Sequence, residues 1–123
     1  VDSLYMPIQM TLEGKLDEAK ISYEKGAACC VILASDGYPR NYAKGLQIKG
    51  IEDANEMGGV KVFHAGTTMK GADVVTSGGR VLGVTAKADN IEGAQKLAYD
   101  AVVKISFPGV HYRRDIAFNA VGR

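Results

Sequence analysis

The sequence predicts an α+β fold, a mostly antiparallel β-sheet with flanking helices. Three observations carry this. Short runs such as Val60-Lys61-Val62-Phe63-His64 alternate apolar and polar residues between turn formers, the pattern of half-buried strands. Ile91, Ala94, Leu97, Ala98, Ala101, Val102 and Ile105 recur at a helical period, which marks one long amphipathic helix. The elements run helix, strands, short helix, strands, helix, an order that groups strands together instead of alternating them with helices.

In chain order, Ser3 is placed to cap a helix with the stripe Leu4, Ile8, Leu12, Pro7 in its first turn and Gly14 at its end. Residues 20–24 alternate like a strand, and a turn at Lys25-Gly26 leads into the apolar run 27–34. That run is short and bounded by turn residues, so it reads as a central strand paired with the first. Asp36-Gly37-Tyr38-Pro39 opens an irregular loop that lasts to Gly45. Residues 46–49 suit a short strand, 51–57 a helix ended by Gly58-Gly59, and 60–64 a strand followed by the small polar turn Ala65-Gly66-Thr67-Thr68. Strands at 73–76 and 80–86 are joined through Ser77-Gly78-Gly79. Asn90 caps the long helix, Pro108-Gly109 stops the chain beyond it, and 110–116 suit a last strand.

A chain of 123 residues fits one domain, and 46% apolar residues fill its core without staples. Charge is balanced, 15 Lys+Arg against 14 Asp+Glu, with the basic residues spread out. No single-sign field is present to hold nucleic acid or a membrane surface. No apolar run is long enough to span a bilayer. Cys29 and Cys30 are neighbours on a strand, so their side chains diverge and a disulfide between them is disfavoured. Buried free thiols fit a reducing compartment, the cytoplasm. The chain opens on Val1 directly in an amphipathic segment, and the expectation from this start is a fragment or a processed chain.

Ser77-Gly78-Gly79-Arg80 is the most informative segment for chemistry. Two glycines let the backbone turn and approach a ligand, and the guanidinium after them has the geometry to grip a phosphate. The competing reading is a plain hairpin turn with a solvated arginine. His64 ends a strand beside Gly66 and Thr67; it either hydrogen-bonds a ligand or orients its own loop. In Tyr112-Arg113-Arg114-Asp115 the arginines take opposite strand faces, and Asp115 is a natural partner for Arg113. No nucleophile–base set and no metal-ligand spacing stands out.

Five runs in register then resemble one family: Leu33-Ala34-Ser35-x-Gly37-Tyr38-Pro39, Tyr42-x-Lys44-Gly45, Val62-Phe63-His64-Ala65-Gly66-Thr67, Gly78-Gly79-Arg80-Val81-Leu82-Gly83-Val84-Thr85-Ala86 and Tyr112-Arg113-Arg114-Asp115-Ile116. Together they are similar to the C-terminal domain of phosphoribosylamine–glycine ligases, which belong to the ATP-grasp superfamily. Arg40 stands where that family often has glycine.

The resemblance implies a reaction in which ATP activates glycine's carboxylate for attack by the amine of 5-phosphoribosylamine, giving glycinamide ribonucleotide in purine biosynthesis. It implies that ATP and magnesium are held by missing N-terminal and ATP-grasp domains. Residues 1–19 would then continue from the ATP-grasp domain and 20–123 form the substrate-side domain, inactive alone. By the same resemblance Gly79 and Arg80 hold the ribose 5-phosphate, His64, Gly66 and Thr67 line the pocket, and Arg113 supports it. Two other identities remain: the equivalent domain of another ATP-grasp carboxylate–amine ligase, or a non-catalytic binding module.

Overall fold

Nine consecutive residues, Ala27–Ser35, form strand β1, in which every second side chain from Cys29 to Ser35 is buried. In a computed structural model that describes residues 4–122, this strand lies inside a four-stranded sheet of order β2-β5-β1-β6. The other members are β2 (Val60–His64), β5 (Arg80–Ala88) and β6 (Val110–His111), and every pairing is antiparallel. A separate two-stranded ribbon joins β3 (Thr67–Lys70) to β4 (Asp73–Thr76). The helices are α1 (Tyr5–Leu12), α2 (Ile51–Asn55) and α3 (Ile91–Val102). This is the expected α+β architecture.

Helix α3 starts as its sequence requires: the Asn90 side chain accepts a hydrogen bond from the Gly93 N–H at 2.8 Å. It lays Ala94, Ala98, Ala101 and Val102 on the sheet, over Val31 and Leu33 of β1 and Val84 and Ala86 of β5. Small residues on the helix let it approach the branched side chains of the strands closely. The opposite face of the sheet has no helix among the described residues, and Cys30, Ile32 and Phe63 are exposed there.

Several expectations need correction. Residues 20–24 form no strand, and β1 pairs with β5 and β6 instead. Pairing with β5 completes the surface that α3 covers, whereas Ile21 and Tyr23 stay exposed; burial decides against the local alternation. Residues 67–70 are a strand, not a turn. Residues 46–49 form no continuous strand: isolated bridges join Gln47 to Val75 and Lys49 to Ser106, and Ile48 is buried in the core. The last strand ends at His111. Cys30 is exposed while Cys29 is buried, the divergence expected of neighbours on a strand. Burial, then the neighbouring Cys30, pushes the Cys29 thiol up. The Ser3 cap lies outside the described residues; helix α1 forms, but Leu4, Ile8 and Leu12 are all exposed.

The pairing of β1 with β5 is regular except at one step. Leu33 faces Leu82, but the next residue, Ala34, faces Arg80. Val81 is therefore an extra residue on β5, a bulge of the kind that re-aims a side chain. Val81 and Leu82 are both buried, and Arg80 next to them is exposed.

Candidate functional site

Three loops converge where the bulge turns the end of β5 outward. The end of β1 and the loop after it supply Ser35 and Tyr38, the β2–β3 connection supplies Gly66, and the β4–β5 connection with the first residue of β5 supplies Ser77, Gly78, Gly79 and Arg80. Backbone hydrogen bonds tie them together. The Gly66 N–H donates to the Arg80 carbonyl at 2.8 Å, and the Gly66 carbonyl accepts from Ser77 at 2.8 Å and from Gly78 at 3.2 Å. The Ser35 N–H donates to the Gly79 carbonyl at 2.8 Å, and the Ser35 hydroxyl donates to the Gly78 carbonyl at 3.1 Å. Strands β4 and β5 belong to different sheets, so Ser77-Gly78-Gly79 is a crossing between them and not a hairpin turn.

The glycines are demanded by proximity. A Cβ on Gly66 would lie 2.5 Å from the Arg80 carbonyl oxygen and 2.7 Å from the Gly78 Cα. A Cβ on Gly79 would collide with the ring of Tyr38. The crossing is thus close-packed backbone on one side and an aromatic ring on the other.

A cavity of about 480 Å³ opens here, lined by Ile32, Tyr38, Ala65, Gly66, Gly79, Arg80 and Leu82, within the range of small-ligand sites. Among the described residues no carboxylate lies within ion-pair distance of Arg80. Gly79 is buried, yet its N–H has no acceptor among the described residues. A buried donor without an acceptor is rare and calls for a ligand atom or a water. Cavities of similar volume flank residues 45–49 and 106–109, but no arginine lines them.

The other sequence-derived residues are placed as follows. His64 Nδ1 lies 2.9 Å from the Thr67 hydroxyl, so the histidine and threonine hold the β2–β3 connection together beside the cavity that Gly66 lines. Arg113 makes two hydrogen bonds to Asp115, at 2.8 and 2.6 Å, on the exposed surface and away from the cavity lining. That pair raises the Arg113 pKa and holds the Asp115 carboxyl below its ordinary range. Tyr38, Ile32 and Ser35 do not stand out as site residues in the sequence. Tyr38 belongs to one of the five family-like runs, but its contact with Gly79 spans 41 positions and no local pattern encodes it.

Residues 28–119 match the family model described as phosphoribosylglycinamide synthetase, C domain. The chain belongs to that family. The C domain is 49% identical over 110 residues to a phosphoribosylamine–glycine ligase of Caldanaerobacter subterraneus, covering 89% of this chain and 26% of the relative. It is 45% identical over 119 residues to the trifunctional purine biosynthetic protein adenosine-3 of Gallus gallus, covering 96% of this chain and 12% of that protein. In structure it is similar to the phosphoribosylamine–glycine ligase of Thermotoga maritima, with a TM-score of 0.70 and 34% identity over 88% of this chain and 26% of that one. The C domain thus spans about a quarter or less of the length of these relatives. Among the described residues no helix is long and apolar enough to cross a membrane.

Proposed function

We propose that this C domain forms the sugar-phosphate side of the active site in a phosphoribosylamine–glycine ligase, which joins glycine to 5-phosphoribosylamine with ATP in purine biosynthesis. The observation that carries the reading is the unpaired Arg80 guanidinium beside the acceptorless Gly79 N–H at one cavity. Both are donors, both sit on backbone fixed by the β2–β3 and β4–β5 connections, and a phosphate accepts from both at once. His64 and Thr67 act indirectly, by holding the connection that carries Gly66. Arg113 is engaged by Asp115 and has no part in the anchor.

The same reading assigns ATP and magnesium to an ATP-grasp portion outside the residues of this domain, and the segment before residue 20 to that portion's edge. In support, α1 buries no residue against the sheet. ATP supplies the activation of glycine's carboxylate; the groups of this chain bind and orient the amine-bearing sugar phosphate, a contribution of position and not of proton transfer. A cytoplasmic setting accords with the two free thiols.

The test is Arg80→Ala in the full-length ligase polypeptide that carries this domain. A charge-assisted hydrogen bond is worth about 1.5–3 kcal/mol, so kcat/KM for phosphoribosylamine falls about 10- to 150-fold. The KM values for ATP and glycine stay within about twofold, because a group that touches only the sugar phosphate contributes nothing to binding the other two substrates. An unchanged kcat/KM for the sugar phosphate removes Arg80 from the site.

A further inference from the structure

The cavity beside Arg80 is chemically two-sided, and the phosphate anchor uses only one side. Its lining includes Arg80, with a free guanidinium, and Gly79, whose N–H has no acceptor among the described residues. Its remaining walls are Ile32, Leu82, Ala65 and the ring of Tyr38. A free phosphate gains nothing from such walls; a phosphate that carries a carbon skeleton does.

Tyr38 is held in this position from several sides. Its N–H donates to the Ser35 carbonyl at 3.2 Å, and Ser35 also carries the two hydrogen bonds to Gly78 and Gly79. Its ring lies against Gly79, where any larger residue would displace it, and meets Tyr42 edge-on with centroids 6.1 Å apart. Tyr38 as a whole is 44% exposed despite these contacts, so a surface remains for something else to cover. The Tyr38 ring and the Arg80 backbone are thus set by one hydrogen-bonded unit, with Gly79 between them.

We propose that Tyr38 is a specificity residue of this site: its ring takes the carbon face of the ribose while Arg80 and Gly79 take the 5-phosphate. The proposal rests on the sugar-phosphate reading of Arg80 and adds to it the group that distinguishes a ribosyl phosphate from phosphate alone. Aromatic rings pack against the C–H faces of sugars through dispersion and burial, and this needs the ring, not its hydroxyl.

The experiment measures competitive inhibition of the full-length ligase by ribose 5-phosphate and by inorganic phosphate, each against phosphoribosylamine. Native enzyme binds ribose 5-phosphate more tightly than inorganic phosphate. Tyr38→Leu lowers ribose 5-phosphate affinity by about 2- to 12-fold, the size of an aromatic packing contact, and leaves inorganic phosphate affinity in place. Tyr38→Phe keeps the native ratio. Arg80→Ala weakens both inhibitors.

The outcomes distinguish the ring's role from the anchor's. If Arg80→Ala weakens both inhibitors but Tyr38→Leu leaves their ratio at the native value, Tyr38 has no part in reading the sugar and the proposal falls alone. A Tyr38→Leu effect equal on both inhibitors means the ring only props up Gly79, which also overturns it. If Tyr38→Phe loses the ratio, the hydroxyl is responsible and the ring-packing account is wrong. If Arg80→Ala changes neither inhibitor, the anchor reading itself fails and takes this one with it.

Discussion

Gly66→Ala is expected to weaken folding and, on the proposed function, sugar-phosphate recognition with it. The added methyl would stand 2.5 Å from the Arg80 carbonyl oxygen, 2.7 Å from the Gly78 Cα and 2.9 Å from the Gly78 nitrogen. All three are backbone atoms, so no rotamer change relieves the contact. Overpacking of this kind costs about 1–3 kcal/mol. The shift also strains the hydrogen bonds that Gly66 makes to Ser77, Gly78 and Arg80, each worth about 1 kcal/mol. A total loss of about 2–5 kcal/mol is expected in urea unfolding of this chain. In the full-length ligase the KM for phosphoribosylamine should rise while that for ATP does not. A variant with native stability and native KM would show that the two connections separate without consequence.

Leu33→Ala tests the core, and its effect should be confined to stability. Leu33 is fully buried between α3 and the strands that flank it, and faces Leu82 across the sheet. Removing a buried leucine costs about 2–5 kcal/mol, the upper part applying where the site cannot collapse. Neighbours held in a paired sheet and a capped helix leave little room for collapse. For a chain of this size the melting temperature should fall by roughly 8–20 °C. Ile32→Ala is the internal control: one position along, on the open face and 43% exposed, it should cost no more than about 1 kcal/mol. Equal costs at 32 and 33 would contradict the one-sided core.

How far the sequence reveals this fold depends on where each signal resides. Helix α3 is legible because its cap, its period and its small-residue face all lie within one stretch of chain, and all three appear as expected. Strand β2 is equally legible from alternation. Residues 20–24 carry the same alternation and form no strand, because nothing covers Ile21 and Tyr23; partner availability is not written locally. The glycine crossing at 77–79 is visible as a place of backbone freedom, and its use as a bridge between sheets is not, since that depends on Gly66 lying beneath it. For the site, Arg80 could be singled out from its glycine context. Tyr38 could not, because the reason for its position is a glycine 41 residues away. Arg113 illustrates the opposite case, a cation whose nearest sequence neighbour of opposite sign, Asp115, already engages it.

Val81 separates two selective pressures along a single strand. Because it adds one residue to β5 where Leu33 gives way to Ala34 on the facing strand, the in–out rhythm of the sheet slips by one step there. Two successive side chains turn toward the interior and the next one is released to the surface. Residue 80 is thereby freed from any packing duty, and residue 81 is committed to the interior. Recognition at this end of the strand is open to change, by evolution or by design, while the interior that supports it keeps its shape.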